Sequence, residues 1–508
     1  MKNNFKKIFL IGIITTFLTA GCSDWLDVNT DPNNPADASM ELVFTAGVME
    51  VAANVGGYYN LLGGMWSQHY TQSNAANQYK YIDGYVIESN DFQSNWSEMY
   101  AGALNDLKYT RVKAVEAENW SMNLMATAME VYAWQVMADL YDEIPYSEAL
   151  NGVNNPSPKY EKGSVIYPDL IVRLDEALGK DLTTISSILT NAQKNQDQVF
   201  HGDLNKWKQF ANTLKLKLYL RQMYVNPTVA QSGIAALISS GAQFLDSDAT
   251  LDIFINEKDK DNPFYSSDKR NLNVATNLRA SATLFNFLSA NNDPRISKYY
   301  ENAPGGSIGT PMPQGGFDII STIMVPNNIA VFHLEPTTPV YFFTLAEVKF
   351  MLAEVAAKGW SSENAKDLYT DGVLAAFSRL GLDGSTFVET GGVYEYPTGD
   401  FEVQQKAIIV QKWLSMVAIQ GLEAFLETNR THYPAVSSIP AWNGTSSSGS
   451  LNPAFITGEL TYSLAGTSVG NKFPKRLLIP MSERTANASV PADLKVKDIT
   501  QKIWWDTK

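Results

Sequence analysis

The chain has a single cysteine, Cys22, in 508 residues. One thiol cannot make an intrachain disulfide, so this is no disulfide scaffold. A chain this long buries enough surface to fold without one. Histidine is nearly as scarce. The four, His69, His201, His333 and His432, lack metal-ligand spacing, and neither H-E-x-x-H nor a P-loop occurs. No metal and no cofactor are expected. Beyond the first residues, no apolar run approaches the ~20 residues that span a bilayer. Positive charge is the minority, with 39 Lys and Arg against 53 Asp and Glu and a formal net charge of −14. That balance argues against nucleic acid as a partner and against a polybasic membrane patch.

What stands at the N-terminus gives the lone cysteine a purpose. Lys2, Lys6 and Lys7 precede an apolar run from Ile8 to Leu18, and Thr19-Ala20-Gly21 lead into Cys22. A basic segment, a short apolar segment and small residues before a cut describe a secretory signal. With Cys immediately after the cut, the pattern looks like a bacterial lipoprotein signal whose thiol is lipidated. The alternative is an ordinary signal peptide that happens to contain a Cys. Residues 1–21 are expected to be removed, 22–39 to form a lipidated tether, and 40–508 to form one domain. Removal takes away three lysines and no acid, which moves the formal charge from −14 to −17. Stable anchoring needs two or more acyl chains, and bacterial lipoproteins carry two or three. Ser23-Asp24-Trp25-Leu26-Asp27 resembles the acidic surface-export signal of Bacteroidetes lipoproteins, or is a solvated tether. Asp27-Val28-Asn29-Thr30-Asp31 starts like a calcium loop but fails at Pro32 and Ala38, where Gly and Glu are needed.

Past residue 40 the dominant signal is helical. Trp207, Phe210, Ala211, Leu214 and Leu218 fall on one helix face, as do Leu345, Val348, Leu352, Val355 and Ala356. Val410, Trp413, Leu414, Val417 and Phe425 form a third stripe. Lys206, Lys208, Lys215 and Lys217 are expected to snorkel or face water. Residues 345–380 read as a helical hairpin, with Gly359 ending one helix and Ser361 or Ser362 capping the next. Its small residues at the crossing resemble a tetratricopeptide unit, although no strict 34-residue period recurs.

The helices are interrupted by polar stretches at 54–85, 255–275, 302–316 and 434–470. Long loops inside a compact domain are often functional. A sugar ring presents an apolar face to an aromatic side chain and hydroxyls to Asn, Gln, Asp or Arg. The segment 63–82 has that make-up in Trp66, Gln68, Tyr70, Asn74, Gln78, Tyr79 and Tyr81. Trp442 and the pair Arg270-Asn271 lie in two other polar stretches. Each aromatic has the competing role of pinning its segment to the helices. Gly305-Gly306-Ser307-Ile308-Gly309 matches G-x-S-x-G, but Pro304, Pro311 and Pro313 surround it and the required strand–turn–helix context is missing. No catalysis is expected at Ser307.

Several motifs follow one another along the chain, beginning with Asp31-Pro32-Asn33-Asn34-Pro35, Ala138-Asp139-Leu140-Tyr141-Asp142-Glu143-Ile144-Pro145-Tyr146, Ile166-Tyr167-Pro168-Asp169-Leu170-Ile171 and Trp207-Lys208-Gln209-Phe210-Ala211-Asn212-Thr213-Leu214. Asp293-Pro294-Arg295, Ala353-Glu354-Val355-Ala356, Gln411-Lys412-Trp413, Glu427-Thr428-Asn429-Arg430-Thr431 and Phe473-Pro474-Lys475-Arg476 follow. Taken in order, they resemble the SusD/RagB family of nutrient-binding outer-membrane lipoproteins, specifically its SusD-like branch. Asn429 departs from the second Arg that related sequences tend to carry. Tyr141, Tyr146, Trp413 and Phe425 read as core, and Arg430 and Arg476 as holding carbonyls or carboxylates.

The resemblance implies a mostly α, SusD-like fold of degenerate tetratricopeptide-type hairpins with long loops and a few short strands. It implies a cell-surface lipoprotein of the outer membrane that binds a nutrient, oligosaccharide first and peptide second. The implied partner is a SusC-type TonB-dependent transporter, over which the protein sits as a lid. No covalent chemistry is expected. A surface-anchored glycoside hydrolase and a purely protein-recruiting helical scaffold are the competing readings.

Overall fold

A computed structural model describes residues 38–442, apart from 75, 273, 275, 302–307 and 319–328, and residues 452–508, apart from 453 and 471. Cys22, the acidic stretch after it, the tether up to residue 37 and Ser307 lie outside the described residues. Helices dominate and strands are short. Trp120–Tyr141 is the axis of the helical part, with all but its first residue buried. A helix apolar on every side needs neighbours on every side. It receives Asn105–Glu116, Gly163–Leu178 and Leu204–Arg221, and Met40–Gly56 packs on Asn105–Glu116. The Asn119 side chain caps its start by accepting from the Met122 amide at 3.0 Å.

The 207–218 and 345–356 stripes lie in Leu204–Arg221 and Leu345–Ala357, as expected. Leu345–Ala357 and Ala365–Arg379 form the expected hairpin. Gly359 ends its first helix at φ +74°, a left-handed conformation suited to glycine. The second helix is capped by Asn364, which accepts from the Lys366 amide at 2.9 Å, rather than by either serine. The third stripe belongs to two helices, Phe401–Ser415 and Gly421–Thr431, because the chain turns at 416–420.

The charged pattern also misled at Lys217. It is buried, with its ammonium 2.7 Å from Glu347 and 3.4 Å from Glu423. Arg221 donates to Glu427 at 2.6 Å and to Glu423 at 2.8 Å, and stands 3.3 Å from Asp139. Arg430 donates to both Glu354 oxygens, at 2.9 and 2.7 Å, and Lys412 to Glu427 at 3.0 Å. Each carboxylate of this cluster meets a cation, as burial requires. The cluster ties five helices together and fixes the Gly421–Thr431 helix.

The stretch at 54–85, expected to be a long loop, is core instead. Tyr58–Trp66 is a helix packed on Gly421–Thr431, Tyr70–Gln72 is a strand and Lys80–Asp83 a short helix. Gly63 there serves a helix crossing, not a turn. A Cβ on Gly63 would collide with the Gly421 backbone. Tyr70–Gln72 opens a four-stranded antiparallel sheet followed by Leu278–Ala280, Val331–Phe332 and Tyr300–Glu301, with Tyr70 opposite Ala280 and Arg279 opposite Val331.

Candidate ligand-binding site

The sequence candidates do not converge. Gln68, Tyr70 and Tyr79 are buried and their polar atoms are occupied. The Tyr70 hydroxyl donates to the Asn60 carbonyl at 3.0 Å, and the Tyr79 hydroxyl to that of Ser267 at 3.4 Å. Gln68 donates to the Thr461 carbonyl and accepts from the Thr461 amide at 3.0 Å. These three are corrections: a ring or amide closed in the core cannot face a sugar. Tyr81 is half-buried against the core and Asn74 is half-buried. Arg270 pairs with Asp261 and donates to Asn256 at 2.7 Å, and the exposed Asn271 donates to Ser266 at 3.2 Å. Trp442 is half-buried. Only Trp66 lines a described cavity.

That cavity, of about 280 Å³, opens between the end of the Gly421–Thr431 helix and the C-terminal segments. Its floor is Trp66 against Phe425, with ring centroids 4.9 Å apart, and the indole N–H donates to the Ile82 carbonyl at 3.1 Å. Trp66 is only 2% exposed, so it shapes the floor more than it offers a face. The offered face comes from Tyr462, 38% exposed, and the half-buried Phe473, with centroids 4.9 Å apart and planes 37° apart. Gln68, through both polar atoms of Thr461, positions the segment that carries Tyr462. A residue predicted to touch ligand thus holds one that can.

The polar wall is Asn429, Lys475 and their surroundings. Lys475 donates to Asn429 Oδ1 at 3.0 Å and lies 2.8 Å from Asp506. An ammonium only donates, so it fixes which end of the amide faces it. Asn429 Nδ2 is then left buried with no acceptor. An unpaired buried donor costs ~1–3 kcal/mol, a debt that a bound acceptor would remove. Lys502 and His432 stand 3.2 and 3.3 Å from the other Asp506 oxygen. Burial alone would raise the Asp506 pKa, but His432, Lys475 and Lys502 outweigh it and hold the carboxyl below its ordinary 3.8. Burial lowers the Lys475 pKa against the opposing pull of Asp506.

Two larger clefts, each about 390 Å³, are poorer candidates. In one, Tyr394 is 5% exposed and its hydroxyl is spent on Asp293 at 2.7 Å. In the other, Glu130 is saturated by Arg111 and Arg173, both at 2.6 Å. Sequence reasoning missed Tyr462, Phe473, Lys475 and Lys502. Asn429 did carry a signal, as the departure from the related pattern, and 434–470 was noted as a polar stretch, but around Trp442.

Residues 32–453 match the family model SusD-like_2, described as starch-binding and associating with the outer membrane. The chain belongs to this SusD-like family. No curated protein matches it. Among solved structures, a chitin-binding protein superposes with a TM-score of 0.72 at 22% identity, covering 92% of this chain and 99% of its own. A SusD homolog from Bacteroides uniformis ATCC 8492 gives 0.73 at 22%, with the same coverage. A chitin-binding SusD homolog from Flavobacterium johnsoniae gives 0.70 at 18%, covering 91% and 98%. At these identities the likeness establishes the mostly helical SusD-like fold. Among the described residues, no helix is long and apolar enough to cross a membrane. Tyr462, Phe473, Lys475 and Lys502 all fall beyond the segment that the family model matches.

Proposed function

We propose that this SusD-like protein is a cell-surface lipoprotein, anchored through Cys22, that captures an oligosaccharide and passes it to a SusC-type TonB-dependent transporter. The capture site is the cavity between Asn429 and the Tyr462–Phe473 ring pair. The observation that carries the reading is the exposed ring face of Tyr462 beside an unpaired buried amide donor, a combination suited to the apolar face and polar rim of a sugar. Membership of a family described as starch-binding and outer-membrane-associating supports the ligand class and the location. Binding rather than hydrolysis is supported by the cavity's carboxyls: none is in the lining among the described residues, and the two behind it are engaged, Asp506 by Lys475, Lys502 and His432, and Asp498 by Thr500. Glycoside hydrolysis needs a carboxyl pair about the scissile bond.

The test is calorimetry on soluble protein that starts after Cys22, against a panel of neutral and acidic oligosaccharides. A stacking ring contributes ~1–3 kcal/mol on nucleobases and no more than that on a sugar face. At ~1.4 kcal/mol per tenfold, Tyr462→Ala is expected to weaken binding up to about a hundredfold. Its exposed side chain should leave the melting temperature close to wild type. Undiminished affinity in Tyr462→Ala moves the ligand elsewhere. Copurification of a large outer-membrane barrel with full-length tagged protein, lost in Cys22→Ala, tests anchoring and partner together.

A further inference from the structure

We infer that the ligand of this cavity carries an ionised carboxylate or sulfate, so the protein selects acidic over neutral glycans. The inference rests on the reading of the cavity as the glycan site and adds the substrate class.

Among the described residues that line the cavity, the side-chain polar atom buried without a partner is a donor, Asn429 Nδ2, and the charged side chains that can meet a ligand are lysines. Asn429 Oδ1 takes Lys475, and the Asp506 oxygens take Lys475, Lys502 and His432. The Thr428 and Thr500 hydroxyls give their protons to the Ala424 carbonyl at 2.9 Å and to Asp498 at 2.7 Å, so they offer a ligand only their oxygens, as weak neutral acceptors. The strongest unmet demand is for an acceptor, at Asn429 Nδ2, buried and unpaired, and at the N–H bonds of the lysines. A neutral sugar hydroxyl brings both a donor and an acceptor. A carboxylate or sulfate brings acceptors alone, and therefore matches this inventory.

Charge points the same way. The chain as a whole carries a formal −14, yet Lys472, Lys475 and Lys502 line this one cavity. The carboxylates that face them are Asp506, shared by Lys475 and Lys502, and Asp498, in the field of Lys472. Three lysines against two carboxylates leave the mouth positive by formal count in a chain whose total is negative. Such a patch raises the local concentration of an acidic ligand and favours its charged form. The ring pair of Tyr462 and Phe473 adds what an inorganic anion site would lack, a surface for the sugar that bears the charge.

The experiment compares galacturonate oligomers, their methyl esters, chondroitin sulfate oligomers, uncharged hexose oligomers and an acidic peptide. The acid should bind at least about tenfold tighter than its ester, and raising salt from about 0.05 to about 0.5 M should erase most of that margin. Asn429→Asp, which keeps a partner for Lys475 but removes the free N–H, should abolish the preference. Lys472→Gln and Lys502→Gln, at exposed positions where folding is safe, should each reduce it severalfold. Uronate against sulfate binding tells which anion is read. Equal affinity for acid and ester, with binding still lost in Tyr462→Ala, overturns the inference and leaves the proposed function standing. Failure of every glycan, or binding of the acidic peptide alone, overturns both.

Discussion

Two faces of one helix, Gly421–Thr431, hold polar side chains under opposite rules. Inward, Glu423, Glu427 and Arg430 join Lys217, Arg221, Glu347, Glu354 and Lys412 in a network where each carboxylate has a cation. Outward, Asn429 is equally buried, yet one of its donors has no partner. The inner set is richer in charge and in conspicuous residues. It is nonetheless paired within itself: even Arg221 Nε and Glu347 Oε1, which make no hydrogen bond, each face an opposite charge, at 3.3 and 2.7 Å. The difference teaches that function is marked by unspent hydrogen-bonding capacity beside a cavity rather than by density of charge.

The sharpest way to break this comparison is Arg430→Ala. Removing Arg430 strands Glu354 as a buried charge, while Glu427 keeps Arg221 and Lys412, and the expected cost is ~3–5 kcal/mol. Urea denaturation should show the loss directly. A loss below ~1 kcal/mol would mean that the inner network is not closed.

Trp66→Ala sharpens the boundary between the two faces, since the ring packs on Phe425 of the same helix. The 2% exposure makes it core, so the expected cost is ~3–4 kcal/mol of stability. Any binding defect should then follow the fraction unfolded. Melting and calorimetry on the same samples separate that from a ligand contact, which would weaken binding at full stability.

How legible this was depends on which kind of pattern carried it. Apolar periodicity located Leu204–Arg221 and Leu345–Ala357, because a buried face must recur every turn. Composition failed at 54–85. Gly, Asn, Gln and Tyr resemble a loop, but Gly63 and Gly421 permit a helix crossing, and Asn60 and Gln68 spend their amides inside the core. Lys217 failed for the same reason, since Glu347 and Glu423 come from distant segments and only the fold brings them near. The cavity has no local signature at all. It joins Trp66 to Asn429, Tyr462, Phe473 and Lys502, which lie hundreds of residues further along the chain and are themselves spread over several segments. The one trace was Asn429, an uncharged residue where related sequences tend to carry a second Arg.

Acid should act on the inner face. Burial alone would raise the Glu427 pKa, but Arg430, Lys412 and Arg221 overcome it and hold the group well below its ordinary 4.5. A carboxyl with a depressed folded pKa stabilises fully above its unfolded value, and that contribution is lost as pH falls through the folded one. Stability should therefore decline below about pH 4.5. Asp83 works in the other direction. Burial raises it to about 6 despite hydrogen bonds from Thr71 and the Gln72 amide, so its contribution is complete below 3.8 and fades as pH rises through 6. Urea midpoints across pH 3–7 should show the acid-side decline in wild type and a shallower one in Arg430→Ala. An unchanged slope in the variant would detach Glu427 from the acid response.

The smallest effect should come from Asn429→Ala, one position away from the largest. The substitution removes a hydrogen bond from Lys475, worth ~0.5–1.5 kcal/mol, but Lys475 keeps Asp506 at 2.8 Å. It also removes Nδ2, whose unpaired burial costs ~1–3 kcal/mol. The two terms oppose each other, and stability should move by no more than ~1 kcal/mol in either direction. A neighbouring residue on the same helix, just as buried and just as polar, would then matter little for folding while its loss weakens ligand binding. If Asn429→Ala instead unfolds the protein as readily as Arg430→Ala, the donor has a structural partner, and the open face is as closed as the inner one.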